Sequence, residues 1–143
     1  MTWYTYAFAA AILWGIHYNF LARSLKVISP ISTFWLATVM MLVGVPFFWK
    51  QLVVDYKALI QSDIGTIAST VGLMFTGIIA SLSLYKAVQA HNPVHAGLIE
   101  VTYPLFVALF AVVLFQENHL NFGTVVGGLL ILMGAGIVVY SSS

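Results

Sequence analysis

The sequence has no cysteine, only four prolines and very little charge: five Lys and Arg against four Asp and Glu in 143 residues. The missing cysteine excludes disulfides and thiol chemistry and leaves the compartment open. Charged residues make up 6% of the chain, where a soluble domain carries about 25%. So small a fraction cannot cover a surface that faces water, and the chain reads as an integral membrane protein. A net charge of +1 supplies no polybasic surface for nucleic acid. The opening stretch, MTWYTYAFAAAILWG, holds no Lys or Arg before its apolar run. It therefore lacks the charged start of a signal peptide and reads as a retained first span.

Sets of residues that do covalent or metal chemistry are also missing. The acids are Asp55, Asp63, Glu100 and Glu117. There is no phosphate-binding glycine loop, and no Ser–His–Asp set has workable spacing. His91 and His95 are four apart, but Pro93 lies between them at a helix start, which makes a poor metal site. No enzyme activity, metal or cofactor is expected.

What the chain does have is long apolar runs, with 62% of its residues hydrophobic. Five runs lie near the ~20 residues that a hydrocarbon core requires: Trp3–Ala22, Pro30–Phe48, Ile64–Tyr85, Pro93–Phe115 and Asn121–Tyr140. Backbone polar groups in lipid must be satisfied within the segment, so these runs are expected to be helices. They are continuously apolar rather than alternating, which argues against strands. The expectation is an all-α membrane protein of five transmembrane helices in a single domain over residues 1–143.

The links Arg23–Ser29, Trp49–Asp63, Lys86–Asn92 and Gln116–Leu120 are short, so neighbouring helices run antiparallel. Trp49–Asp63 is the longest and has room for a short surface helix. Pro30 and Pro93 fall at helix starts, where a missing N–H matters least. Trp3, Tyr4, Tyr6, Trp49, Tyr56, Tyr85 and Tyr140 fall at span ends, as an interfacial aromatic belt requires. Basic residues do not fix an orientation: Lys50 and Lys57 lie on the N-terminal side, Arg23, Lys26 and Lys86 on the other. A weak single orientation and insertion both ways are each compatible with that count.

One stretch combines charge with a helix breaker. In Asn92–Glu117 the carboxylate of Glu100 lies well inside the apolar run, and Pro104 follows four residues later. Proline removes the hydrogen bond to the carbonyl four residues back, here that of Glu100 itself. Kink and charge thus become one local feature, with Gly97, Glu100 and Pro104 on one helix face and Ala96 and Tyr103 beside it. In span 1, Ala10, Trp14, His17 and Leu21 share a face, with Gly15 and Asn19 adjacent. At 1.5 Å per residue, His17 lies ~7–8 Å and Glu100 ~10 Å below the same side of the membrane. Ionisable groups in a membrane cost at least ~2.5 kcal/mol and face a cavity or one another. Trp35, Thr38 and Leu42 share a face of span 2 at similar depth, and Pro46 bends its last turn.

Each of these residues also has a plainer reading. His17 can be a neutral imidazole bonded to a neighbouring helix, and Glu100 a protonated carboxyl tying two helices together. Trp14 and Trp35 can simply pack, and Glu117 can cap the following loop. The small residues of span 3 (Gly65, Ala68, Ser69, Gly72, Gly77, Ala80, Ser81, Ser83) suit close helix approach, while Ser81 and Tyr85 can reach a cavity. Gly123 and Gly127 in span 5 form a GxxxG pair, an association face within the chain or between chains.

The order of features resembles the EamA-type repeat of the drug/metabolite transporter superfamily. The residues that carry the resemblance are Trp14-Gly15, Asn92-Pro93 through Ala96, Tyr103-Pro104-Leu105-Phe106, Phe115-Gln116-Glu117 and the glycines from Gly127 to Gly136. It covers most of the chain and is strongest over Lys86–Tyr140. The resemblance implies an exporter or exchanger of small metabolites or drugs, with a central cavity and alternating access, in a bacterial inner membrane. Members of this kind have ten helices in two inverted halves, so this chain corresponds to one half. It would pair with a second copy or with a related half. Small four-helix multidrug exporters place a glutamate in helix 1, and the region of Gly15 stands there instead.

Five is odd, so a half inserted the opposite way has inverted topology. The near-even basic count then permits an antiparallel homodimer whose cavity is lined by Trp14, His17, Trp35, Glu100 and Tyr103 from each copy, with Pro104 as the kink. The leading alternative is a flippase-like or accessory half-transporter for a lipid-linked polar headgroup. A non-transporting scaffold and an intramembrane enzyme are the remaining readings.

Overall fold

The computed structural model describes residues 2–118 and 120–141, with Trp3 described in its backbone alone. The expected belt position of Trp3, His119 of the Gln116–Leu120 link and the tail residues Ser142 and Ser143 lie outside the described side chains. Among the described residues there are seven helices and no strand: α1 (Trp3–Ser24), α2 (Pro30–Leu42), α3 (Val45–Ile60), α4 (Ile64–Ala90), α5 (Pro93–Glu100), α6 (Tyr103–Phe115) and α7 (Phe122–Ser141).

Both expected proline starts are present, and each has a side-chain cap. Ser29 Oγ accepts from the Ser32 N–H at 3.2 Å ahead of Pro30. Asn92 Oδ1 accepts from the His95 N–H at 2.8 Å ahead of Pro93. A cap of this kind is worth about 1 kcal/mol, and a proline in the first turn loses no helical bond. Asp63 does the same for α4, accepting from the Thr66 N–H at 3.1 Å and from the Thr66 hydroxyl at 2.6 Å.

The expected spans differ from the observed helices at three places. First, Pro30–Phe48 is not one helix. It stops at Leu42, and α3 leaves the direction of α2 by 82° after Val43 and Gly44. Pro46 lies in the first turn of α3, so the bend comes before the proline rather than in the last turn of the span. The link expected over Trp49–Asp63 is mostly helix as a result. Second, α4 runs to Ala90 rather than ending at Tyr85. Val88 is buried, and the Gln89 side chain donates to the Leu25 carbonyl at 3.3 Å, which holds the extra turn. Tyr85 therefore sits a turn inside the helix, 7% exposed, with Phe34 edge-on at 6.5 Å, and not in an exposed belt. Third, Pro93–Phe115 is two helices in line, α5 and α6, interrupted at Val101 and Thr102.

By length and composition, α4, the α5–α6 segment and α7 can each cross a membrane, and the bent α2–α3 pair makes a fourth candidate. The 22 residues of α1 suffice in length, but α1 is not among these candidates. The consecutive polar residues His17, Tyr18 and Asn19 lower its hydropathy.

The helices group into two compact units. One contains residues 21–89, with Leu21, Leu25, Tyr85 and Val88 buried. The other contains residues 1–20 and 90–143. In it α5 packs on α7, and Tyr18, Ala96 and Gly128 are buried. Leu105 of α6 seats on Gly128: a Cβ there would lie inside contact distance of Leu105 Cδ2 and 3.6 Å from its Cγ. Gly127, next in sequence, has nothing within 4 Å of the same construction. The expected GxxxG pair is thus not what packs α7 in this unit; Gly128 is. Gly72 and Gly77 of α4 likewise face open space.

Candidate functional site

Glu100 is the last residue of α5, and Tyr103 opens α6. Between them the Val101 N–H donates to the Gly97 carbonyl at 3.0 Å, and the Thr102 N–H donates to Ile99 at 3.1 Å. The second bond spans three residues, so the chain tightens just past Glu100. Pro104 has no N–H to donate to the Glu100 carbonyl, and the helix breaks where that bond would have formed. The Glu100 side chain is exposed in the single chain, and among the described residues no hydrogen bond holds it. Tyr103 is 60% exposed beside it in sequence.

On α1, Trp14 and His17 share a face as expected. Their rings meet edge to face at 5.1 Å and 86°. Asn19 donates to the Gly15 carbonyl at 2.9 Å, which ties its amide to its own helix. Trp14 is 54% exposed and His17 half-buried. Trp35 belongs to the other unit, where it is 60% exposed and edge-on to Phe34 at 5.9 Å. Thr38 on the same face of α2 bonds to the Phe34 carbonyl at 2.9 Å.

Tyr18 is the residue that sequence reasoning passed over. It is 9% exposed, and its ring lies across Gly97. A Cβ at Gly97 would lie 3.6 Å from Tyr18 Cε1 and 3.9 Å from Cζ. Trp14 stands 6.3 Å away at 66°. The hydroxyl is buried and has no partner among the described residues. A buried polar group left so costs about 1–3 kcal/mol, so an unpaired phenol at this position calls for an explanation. The signal was available: Tyr18 is four residues from Trp14 and thus on its face. The contact also orders the site. His17 adjoins Tyr18, and Glu100 is one helical turn beyond Gly97, so α1 and α5 bring the two ionisable groups to within about a turn of one contact.

The profile of the EamA-like transporter family matches residues 1–140. The chain belongs to that family. No curated protein and no solved structure matches it. As an EamA-like transporter it is an integral membrane protein of the drug/metabolite transporter type. Glu100 places a carboxylate inside the apolar Pro93–Phe115 segment, at the α5–α6 break.

At the head of α5 this EamA-like protein also stacks His91 and His95, with ring centroids 4.6 Å apart and planes at 30°. Asn92 Oδ1 receives His95 Nδ1 at 2.8 Å. Among the described residues no three of His, Cys, Asp and Glu converge as metal ligands would. Asp63, outside the spans, has its carboxyl held below the usual carboxylate range, first by the Thr66 hydroxyl and then by the Thr66 N–H.

Proposed function

We propose that the chain exports or exchanges a small polar or cationic solute by alternating access, with Glu100 as the group that alternates between proton and solute. What supports this is one observation above the rest: a carboxylate with no hydrogen-bond partner among the described residues, at a break beside Pro104 in a 23-residue apolar segment. A carboxylate in a membrane is costly unless something compensates it, by ~2.5–3.5 kcal/mol on insertion scales. A proton or a cationic solute compensates it equally, so binding one displaces the other. The break beside it supplies a point at which α5 and α6 move relative to each other without losing a ladder bond, since that bond is already absent. In this reading Trp14, His17 and Tyr103, which belong to the same compact unit as Glu100, line its part of the path.

The functional unit in this reading is an antiparallel pair, each copy supplying one five-helix half of an inverted repeat in the inner membrane. The nearly even distribution of Lys and Arg, two against three, favours it, since neither sidedness is enforced. Gly134, which has nothing within 4 Å, gives α7 a position for close approach by a second copy.

Transport of soluble solutes into proteoliposomes tests the reading. Glu100→Gln should lower transport by at least ~10-fold, the scale of losing one charge-assisted contact, and should flatten its pH dependence. Transport by E100Q with the wild-type pH profile removes Glu100 as the coupling group. Tags on both termini of functional protein should report two sidednesses; a single one overturns the antiparallel pair.

A further inference from the structure

We infer that Tyr18 is the hydrogen-bond donor that selects solutes carrying an acceptor next to their cationic centre, an inference that rests on the reading of Glu100 above. Three observations lead there. The Tyr18 hydroxyl is buried without a partner among the described residues. Its ring is fixed across the bare backbone of Gly97, where a Cβ would lie 3.6 Å from Cε1, so the phenol lies against α5. Glu100 is three residues further along α5, on the same face and ~4.5 Å up the axis.

The ring of Tyr18 thus rests on α5 one turn before Glu100, so the donor and the carboxylate belong to neighbouring turns and together describe a complement. The complement is a flat solute that carries both a cationic centre and a hydrogen-bond acceptor. Trp14, edge-on to Tyr18 at 6.3 Å and 54% exposed, offers the ring against which such a solute lies. Glu100 then supplies affinity for any cation, and Tyr18 distinguishes those with an acceptor from those without. A site built to donate a hydrogen bond discriminates against an analogue that lacks the acceptor, because its own polar group stays unpaired.

Two cations matched except for the acceptor make the test: 1-methylnicotinamide, with a carboxamide, and 1-methylpyridinium, with none. Binding of each is measured by tryptophan fluorescence on the detergent-solubilised full chain, as wild type, Tyr18→Phe and Glu100→Gln. Wild type should bind the carboxamide cation about three- to tenfold tighter, the range of one neutral hydrogen bond. Y18F should bind both cations alike, at the level of 1-methylpyridinium, and E100Q should weaken both.

A preference that survives in Y18F, or no preference in wild type, overturns the role of Tyr18. If E100Q still weakens both cations in that case, the reading of Glu100 stands. No binding of either cation overturns the proposed solute chemistry, while transport of other solutes in proteoliposomes still measures Glu100. Y18F without ligand should melt at or above the wild-type temperature, since it loses only an unpaired hydroxyl. A lower melting temperature means the hydroxyl has a structural partner, such as a second copy, and also overturns the inference.

Discussion

Gly127 and Gly128 adjoin on α7 but differ in what they meet, so exchanging each for alanine isolates one packing contact. Nothing lies within 4 Å of a Cβ at Gly127. Alanine there should stabilise the helix by about 0.8–1 kcal/mol, the propensity gain over glycine. The same gain applies at Gly128, but that Cβ falls inside contact distance of Leu105 Cδ2, with Leu105 Cγ at 3.6 Å. Leu105 must leave its rotamer or push α6 away. Overpacking of this kind costs about 1–3 kcal/mol, so G128A ends between neutral and about 2 kcal/mol less stable. The two variants should thus differ by ~1–3 kcal/mol in opposite senses about wild type.

Thermal unfolding in detergent, followed by helical circular dichroism, measures the difference. Leu105→Ala makes the attribution specific: in that background G128A should become as benign as G127A. Equal melting temperatures for G127A and G128A refute the contact, and so does a deficit that persists without Leu105.

Other outcomes follow from the helix ends and the break. Gln116 terminates α6 at φ 58°, ψ 25°, with the Glu117 N–H donating to the Ala111 carbonyl at 3.0 Å. Gln116→Gly should stabilise by up to ~1 kcal/mol in the same unfolding assay, and Gln116→Val should destabilise, because a β-branched residue tolerates the left-handed region worst. Asp63 titrates lower in the folded chain than in the unfolded one, so its contribution to stability is complete above the ordinary carboxylate range. It is lost as pH falls through the folded value. Asp63→Asn should therefore melt somewhat below wild type at neutral pH, converge with it in acid, and show a shallower acid limb. Pro104→Ala restores a donor for the Glu100 carbonyl; helicity should rise slightly, while transport in proteoliposomes should fall several-fold if the break is needed for opening.

The positions that sequence alone located best were those where one residue dictates local geometry. Pro30 and Pro93 each begin a helix, preceded by the capping residues Ser29 and Asn92. The Glu100–Pro104 spacing falls where α5 gives way to α6. What escaped were features decided by tertiary contact. The extra turn of α4 depends on Gln89 reaching the Leu25 carbonyl, 64 residues away in sequence. The 82° turn comes at Val43 and Gly44. Hydropathy continues across this point, so the run Pro30–Phe48 reads as one helix.

The candidate site divides in the same way. Trp14 and His17 follow from helical spacing on a single helix, and their edge-to-face contact agrees with it. The pairing of Tyr18 with Gly97 joins residues 79 positions apart, 97 minus 18. No periodicity within one helix encodes that. Polarity misled as well: three polar residues in a row on α1 drew attention to the ionisable His17, while Tyr18 is the one with an orphaned buried atom.

Most large apolar side chains of this protein point outward, among them Phe122 at 85% and Tyr140 at 87% exposed. Between helices already surrounded by acyl chains, sequestering hydrocarbon yields almost no free energy, because the tails outside are as oily as the side chains. Shape fit at a few bare-backbone spots, Gly97 under an aromatic ring and Gly128 under a leucine, has to hold the helices in register instead. The lipid thus fills the part that a hydrophobic core plays elsewhere, and acyl-chain length belongs among the determinants of this fold alongside the amino acids.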